Sequence, residues 1–306
     1  MRNTGWVIQP KQELTTSFGL AKDYLELGKP RVVLVMLVCA AVGMALAVPG
    51  IPDMLRAITG LVGIGLAAMG AAAFNHLLDR RLDKLMLRTS RRPVAEGRIR
   101  DWQAAGYAFF LSFAGLALLW TEVNPLTAIL TALALLGYAV VYTAFLKHAT
   151  PQNITIGGLA GASPPLLGWT AMTGQLHPDA FLLVLIIFAW TPPHFWALAI
   201  HKREEYAAAG VPMLPVTHGN DFTRLQLWLY AWLTVAATLL PFATGMSGWI
   251  YLLGIMILNT QFMYWNWKVW RGKDPKAPLG AFWYSIRYIM YLFGWLLLDH
   301  YLLLMG

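Results

Sequence analysis

Charge is what this chain has least of: Lys, Arg, Asp and Glu together make up 12% of its 306 residues, against about 25% in a soluble domain. With 58% hydrophobic residues and a mean hydropathy of +0.55, that scarcity excludes a water-soluble globule and predicts an all-α integral membrane protein. Cysteine is almost missing. The single Cys39 lies inside an apolar run, which excludes an internal disulfide and a cysteine-based metal site. Low-complexity tracts and strict repeats are absent too, so residues 1–306 read as one membrane domain. The net charge of +8 comes with no basic patch interleaved with aromatics, which argues against nucleic acid as a partner. Residues 1–31 mix Lys11, Glu13, Asp23 and Glu26 with apolar residues. They contain no short apolar core ahead of a small-residue cut site, so no cleavable leader is expected. Asp23 to Arg31 is expected to form a surface helix leading into the first span.

Long uncharged runs are what the chain has instead. Stretches near 32–50, 57–78, 103–120, 125–146, 154–173, 180–200, 225–244, 248–267 and 281–298, all but the last free of charge, are long and apolar enough for spans, which predicts nine transmembrane helices in one bundle. With the N-terminus on the cytoplasmic side, the inner segments hold 21 of the 23 Lys and Arg residues. That asymmetry is the positive-inside pattern. Trp120, Trp249, Trp265, Trp267 and Trp270 fall near the expected ends, as interfacial aromatics do. The location expected is a bacterial inner membrane, crossed many times.

The few charges concentrate after the second span, in Asn75-His-Leu-Leu-Asp79-Arg-Arg-Leu-Asp83-Lys-Leu-Met-Leu-Arg88-Thr-Ser-Arg91-Arg92-Pro93. Asn75, Asp79 and Asp83 are spaced i, i+4, i+8. On a helix they cover about 80° of one face and ~12 Å of its axis. An amide and two carboxylates on one face form an all-oxygen site suited to a hard cation such as Mg²⁺. Carboxylates at a helix C-terminus also oppose the macrodipole, so helix stability alone does not favour them. Lys84, Arg88, Arg91 and Arg92 follow, side chains that grip phosphate. Acid for a metal beside base for phosphate points to a metal-bridged diphosphate at a membrane surface. The plainer alternative is a solvated helix end in which Asp79 and Asp83 pair with Arg80, Lys84 and Arg88.

Three other stretches carry polar groups. Lys147 closes the fourth span, either snorkelling to headgroups or clamping phosphate oxygens. Gly157, Gly158 and Gly161 suggest close helix packing, and Pro164-Pro165 a helix break along a cavity wall. In the sixth span His194, His201 and Glu205, spaced i, i+7, i+11, lie within about 20° of one line. They read as a second wall of the same site, with Lys202 roughly 80° around the helix.

Leu27-Gly-Lys-Pro-Arg31, the Asn75–Pro93 run, Tyr142–Pro165, Trp190–Phe195 and Glu205–Pro215, in this order over nearly the whole chain, resemble the protohaem IX farnesyltransferases (haem O synthases). These are a branch of the UbiA-type intramembrane prenyltransferases. Arg88-Thr89-x-x-Arg92-Pro93 and Pro192-Pro193-His194-Phe195 mark the haem branch; the acidic pattern marks the superfamily. The resemblance implies a nine-helix bundle around a lipid-open cavity, with Mg²⁺ on Asn75, Asp79 and Asp83 and farnesyl diphosphate at the cytoplasmic end. It implies catalytic roles for Asp79, Asp83, Lys147 and Lys202. Substrate contacts would come from Asn75, Arg88, Arg92, Tyr142, His194, Glu205 and Tyr206, with His194 toward the haem. Membrane lipid surrounds such an enzyme, and its product passes to a haem A synthase or a terminal oxidase under assembly. Where the superfamily carries a second aspartate-rich motif, this chain has His194, Lys202, Glu204 and Glu205; Lys202 is expected to supply the charge of a second metal. Two other classes stay open: a sister enzyme prenylating a quinone precursor or a chlorin, and a transporter. A transporter usually places its charges near the midplane, whereas these cluster at one face.

Overall fold

A computed structural model describes residues 17–303 of the chain. The reading that no cleavable leader is present falls mostly on residues 1–16, outside the described residues. Eleven principal helices form the bundle, and the described residues contain no strand. They are α1 (Ser17–Leu27), α2 (Pro30–Leu46), α3 (Met54–Leu78), α4 (Asp101–Glu122), α5 (Pro125–Ala149), α6 (Asn153–Ala162), α7 (Pro164–Thr173), α8 (Pro178–His201), α9 (Gly219–Ala243), α10 (Trp249–Arg271) and α11 (Ala277–Leu303). Short helices at Arg80–Asp83, Pro93–Glu96, Arg203–Ala208 and Leu214–Thr217 lie in the connections.

The exterior is apolar. On α4, Phe109, Phe110 and Phe113 are 65%, 68% and 76% exposed; in water such a stripe would aggregate, whereas lipid solvates it. The apolar stretches expected to be spans are helical, but helix length and composition support fewer than nine crossings by themselves. Among the described residues six helices (α3, α4, α5, α8, α9 and α11) are long and apolar enough to cross a membrane, seven if α1 and α2, bent by 47°, form one span. The 154–173 stretch is divided at Ser163 into two ten-residue helices. The polar second half of α10, with Asn259, Gln261, Asn266, Lys268 and Arg271, lowers its hydropathy.

The α6–α7 break is where Pro164-Pro165 stood in the sequence, and both prolines are buried at the first turn of α7. Instead of a cavity wall, Pro165 meets α2: a Cβ on Gly43 would run into the Pro165 carbonyl, and one on Gly168 into that of Ala40. Small residues thus bring α2 and α7 to backbone contact. Of the glycines expected to pack tightly, Gly157 lies against the Tyr142 ring and Gly158 against Thr191, whereas Gly161 has open space beside it.

The surface helix expected over Asp23–Arg31 instead ends at Leu27 and is partly enclosed. Leu27 is fully buried and Asp23 pairs with Arg98 at 3.3 Å. At the opposite end of the bundle from Lys29, Asp299 on α11 is also fully buried and accepts the backbone N–H groups of Gly248 and Tyr251. It thereby satisfies the free N-terminus of α10 from a neighbouring helix. Asp299→Ala is expected to cost about 2 kcal/mol, the upper range for a lost cap. The melting temperature in detergent should fall, with activity per folded molecule unchanged.

Candidate active site

The helical ladder runs through the acidic stretch although α3 formally stops at Leu78. Asp79 N–H donates to the Asn75 carbonyl at 2.9 Å, and Asp83 N–H to that of Asp79 at 2.8 Å. The i, i+4, i+8 register therefore survives, and Asn75, Asp79 and Asp83 are 4%, 1% and 3% exposed. They face inward, not toward solvent. Arg80 pairs with Asp101 instead, and Lys84 is exposed. The solvated-helix-end alternative fails on both partners and burial.

The partners come from elsewhere in the chain. Lys147 Nζ donates to Asp79 Oδ2 at 2.6 Å, and the Asn75 amide donates to the same oxygen at 2.8 Å. A single Arg92 nitrogen spans both Asp83 oxygens at 2.8 Å. Each is a buried, charge-assisted pair in which removing one member strands the other charge. Lys147 is brought there by an unexpected feature: Gly137–Leu146 within α5 is π-helical. Thr143, buried in that stretch, donates to the Tyr138 carbonyl five residues back at 2.8 Å and accepts from the Asn75 amide at 3.2 Å. Wide π turns concentrate at functional sites because they redirect side chains. Here the turn ties α5 to α3 and orients Asn75, whose amide nitrogen has two acceptors and whose oxygen is left to accept.

What that oxygen accepts was missed in the sequence. Lys29 Nζ donates to Asn75 Oδ1 at 2.5 Å. Lys29 sits in the turn between α1 and α2 and is the one described non-glycine residue with positive φ (φ 48°, ψ 56°). A left-handed lysine is strained by about 1–2 kcal/mol. The Gly28-Lys29-Pro30 triplet was a visible signal, but nothing in it says the lysine turns inward. Burial, followed by the positive charge of Arg92, pushes the Lys29 ammonium down to about 7, against the upward pull of Asp79.

The remaining residues divide into groups. Arg88 lies beside the Tyr206 hydroxyl, and burial raises that hydroxyl above its ordinary value. Tyr206 packs in a cluster with Tyr142, which stacks on Tyr138 at 5.8 Å. Lys202 is not brought to the carboxylates: it pairs with Glu205 at 2.6 Å and makes no ion pair with Asp79 or Asp83. The straight line from His194 to Glu205 also fails. Helix α8 ends at His201, and Lys202, at φ −107° and ψ 23°, starts a new short helix. His194 remains inside, stacked between Trp190 and Phe282. On the outer face of the Arg80–Asp83 turn, a recess of about 480 Å³ is lined by Arg80, Arg81, Lys84, Arg100 and Asp101; the inward carboxylates are not part of it.

Asp79 Oδ1 is buried without any hydrogen-bond partner. An orphaned carboxylate oxygen costs a few kcal/mol, and a hard cation satisfies it. With oxygen donors only and no third carboxylate or histidine close enough among the described residues, the set fits Mg²⁺. That ion usually takes one or two carboxylates and completes its shell from water and substrate phosphate. Asp79 offers the free oxygen, and Asn75 and Asp83 would join it in holding the ion once Lys29 and Arg92 release their oxygens.

The apolar helical bundle buries two carboxylates among lysines and an arginine at one end, an arrangement suited to an anionic ligand. The model of the UbiA prenyltransferase family matches residues 36–297. Protoheme IX farnesyltransferase from Azotobacter vinelandii is 57% identical over 282 residues, 92% of this chain and 94% of the relative. The Legionella pneumophila protein of the same name is 56% identical over 280 residues, 92% and 95% of the two chains. Among solved structures, a digeranylgeranylglyceryl phosphate synthase superposes with a TM-score of 0.77 at 18% identity, over 92% of this chain and 98% of that one. A UbiA homolog from Archaeoglobus fulgidus bound to GPP and Mg²⁺ superposes at 0.62 with 19% identity, over 90% and 99%. The chain belongs to the UbiA prenyltransferase family and is a prenyltransferase of the UbiA fold.

Because Lys29 places its ammonium on the Asn75 oxygen beside Asp79 and Asp83, Lys29→Gln should weaken prenyl diphosphate binding by about tenfold at a pH below 7, where that group is charged, with the protein still folded. Titration of the purified variant with a prenyl diphosphate measures this; unchanged affinity would remove Lys29 from the site.

Proposed function

We propose that the chain transfers the farnesyl group of farnesyl diphosphate to a vinyl group of protohaem IX (haem b), giving haem O and diphosphate. The support is twofold: relatives named for that activity at 54–57% identity, and a site chemically suited to a prenyl diphosphate. The observation that carries the chemistry is Asp79, buried, paired with Lys147 on one oxygen and unpartnered on the other.

A diphosphate approaching two carboxylates is repelled unless positive charge intervenes. Lys29, Lys147 and Arg92 already stand there, and Arg88 lies four residues before Arg92 in the same loop. As the carbon–oxygen bond of the allylic diphosphate breaks, these groups donate to the departing oxygens, where negative charge grows. Asn75, Asp79 and Asp83 would hold Mg²⁺, which when bound would supply Lewis-acid stabilisation of the leaving diphosphate. The prenyl tail lies among apolar helices. The allylic cation is screened by aromatic faces, and Tyr138 and Tyr142 are the stacked pair nearest in sequence to Lys147. The vinyl group attacks the cation, and water then adds to the resulting carbocation to give the hydroxyethylfarnesyl substituent, releasing a proton. Burial of Asp79 and Asp83 keeps bulk water from the cation until the carbon–carbon bond has formed. Lys202 and Glu205 sit as a pair at the rim, where they would meet substrate on entry, and His194 faces the acceptor. In this reading the chain crosses a bacterial inner membrane nine times, α10 and the α6–α7 pair included. Its N-terminus and carboxylates face the cytoplasm, and its product goes to a haem A synthase or to a terminal oxidase under assembly.

Asp79→Asn and Asp83→Asn should each lower turnover per folded molecule by at least a hundredfold, and also lower the melting temperature, since the isosteric amide keeps the volume but strands the charge of Lys147 or Arg92. Full activity in either variant removes the metal assignment. EDTA should stop the reaction and Mg²⁺ restore it. Mass spectrometry of haems extracted from cells with and without the protein tests the acceptor: a heavier, farnesylated haem should appear only when the protein is present.

A further inference from the structure

His194 sits one turn beyond Trp190 on α8, with its ring 4.3 Å from the Trp190 ring and 4.7 Å from the Phe282 ring, both nearly parallel to it. The two faces of the imidazole are therefore covered, and only its edges make polar contacts. One edge is fully specified. Nδ1 lies 2.6 Å from Ser285 Oγ, and that same oxygen lies 2.7 Å from the Phe282 carbonyl. Both contacts are short enough to require a hydrogen between the heavy atoms. The hydroxyl has one hydrogen and the carbonyl none. The hydroxyl hydrogen therefore goes to the carbonyl, and the hydrogen between Oγ and Nδ1 belongs to the imidazole. Ser285 is itself held in place: it is buried, and its backbone carbonyl accepts the Trp190 indole N–H at 3.0 Å.

The opposite edge differs. Nε2 makes no hydrogen bond to the described residues, yet it is not sealed off as both nitrogens of His76 are. In a neutral ring with Nδ1 protonated, Nε2 carries the lone pair. An imidazole of this kind, with one N–H anchored and the other nitrogen open, is the usual form of a histidine metal ligand, and the anchoring partner fixes both tautomer and ring orientation.

We propose that Ser285 is a positioning residue that locks His194 in its Nδ1–H form and aims Nε2 as a nitrogen ligand at the iron of the porphyrin acceptor. This rests on the reading of the acceptor as a haem. The flat walls of Trp190 and Phe282 prevent the ring from turning, so the anchored edge decides which nitrogen is offered. Coordination would fix the porphyrin relative to the diphosphate end of the bundle and so select which part of its rim meets the prenyl cation.

The test is equilibrium titration of the full-length protein in detergent with ferric haem b, without prenyl diphosphate, followed by absorption spectroscopy. Haem O formation is assayed in parallel. The wild type should give an imidazole-ligated spectrum, and His194→Ala should lose it. Ser285→Ala should weaken haem binding by about tenfold, the lower range for loss of an anchoring partner, and shift the spectrum; Ser285→Thr, which keeps the hydroxyl, should restore both. Melting temperatures of the variants separate misfolding from misplacement. A wild-type spectrum in Ser285→Ala, or an imidazole signature surviving in His194→Ala, overturns the proposal. Wild-type turnover of haem without any imidazole signature overturns it as well but leaves the proposed reaction standing. Failure of the wild type to bind haem overturns both.

Discussion

Everything at the functional end of the bundle depends on holding carboxylates away from water. A buried carboxylate is tolerated only with a cation against it: Lys147 at the end of α5 meets Asp79 and Arg92 in the loop after α3 meets Asp83, while Lys29 ahead of α2 reaches the amide oxygen of Asn75 beside them. Those contacts tie together elements far apart in sequence. They also leave one oxygen of Asp79 unsatisfied, which keeps the cluster receptive to a cation. The same interactions therefore hold the ends of the helices together and leave one buried carboxylate oxygen open.

The polar cluster is compatible with a membrane because it sits at one end. Behind it the bundle is packed by backbone contact where small residues allow, as between α2 and α7, and its outside is lined with exposed phenylalanine and leucine. At the far end Asp299 performs a different task with the same chemistry, closing the N-terminus of α10. One carboxylate stabilises a helix end with its bonding complete; Asp79 retains an open oxygen. Satisfaction of each oxygen, more than residue type, distinguishes the two acids.

Much of this was legible in the residues. The i, i+4, i+8 spacing of Asn75, Asp79 and Asp83 placed three oxygens on one face, and they are buried on one face. Lys147 and Arg92 were expected near them because each closes or follows a span at the same side. Lys202 was expected there too and pairs instead with Glu205, because α8 stops at His201 and the angle extrapolated past that point has no meaning. Lys29 was overlooked for the converse reason: a left-handed turn sends its side chain inward, and no periodicity predicts a turn that only surrounding contacts can impose. The span count shows a similar limit. Apolar length marks where chain can enter lipid, but whether Asn153–Thr173 is one helix or two depends on Pro164 and on how α2 packs against it.

The sequence by itself determined the solvent, the helical class and the chemistry of the acidic end, because hydropathy and helical spacing are properties of neighbouring residues. Tertiary structure alone decided which cation meets which carboxylate, that α5 widens into a π turn to deliver Thr143 and Lys147, and that Ser285 on α11 holds the edge of His194 on α8. Those are contacts between helices distant along the chain, and their geometry exists only after the helices have packed.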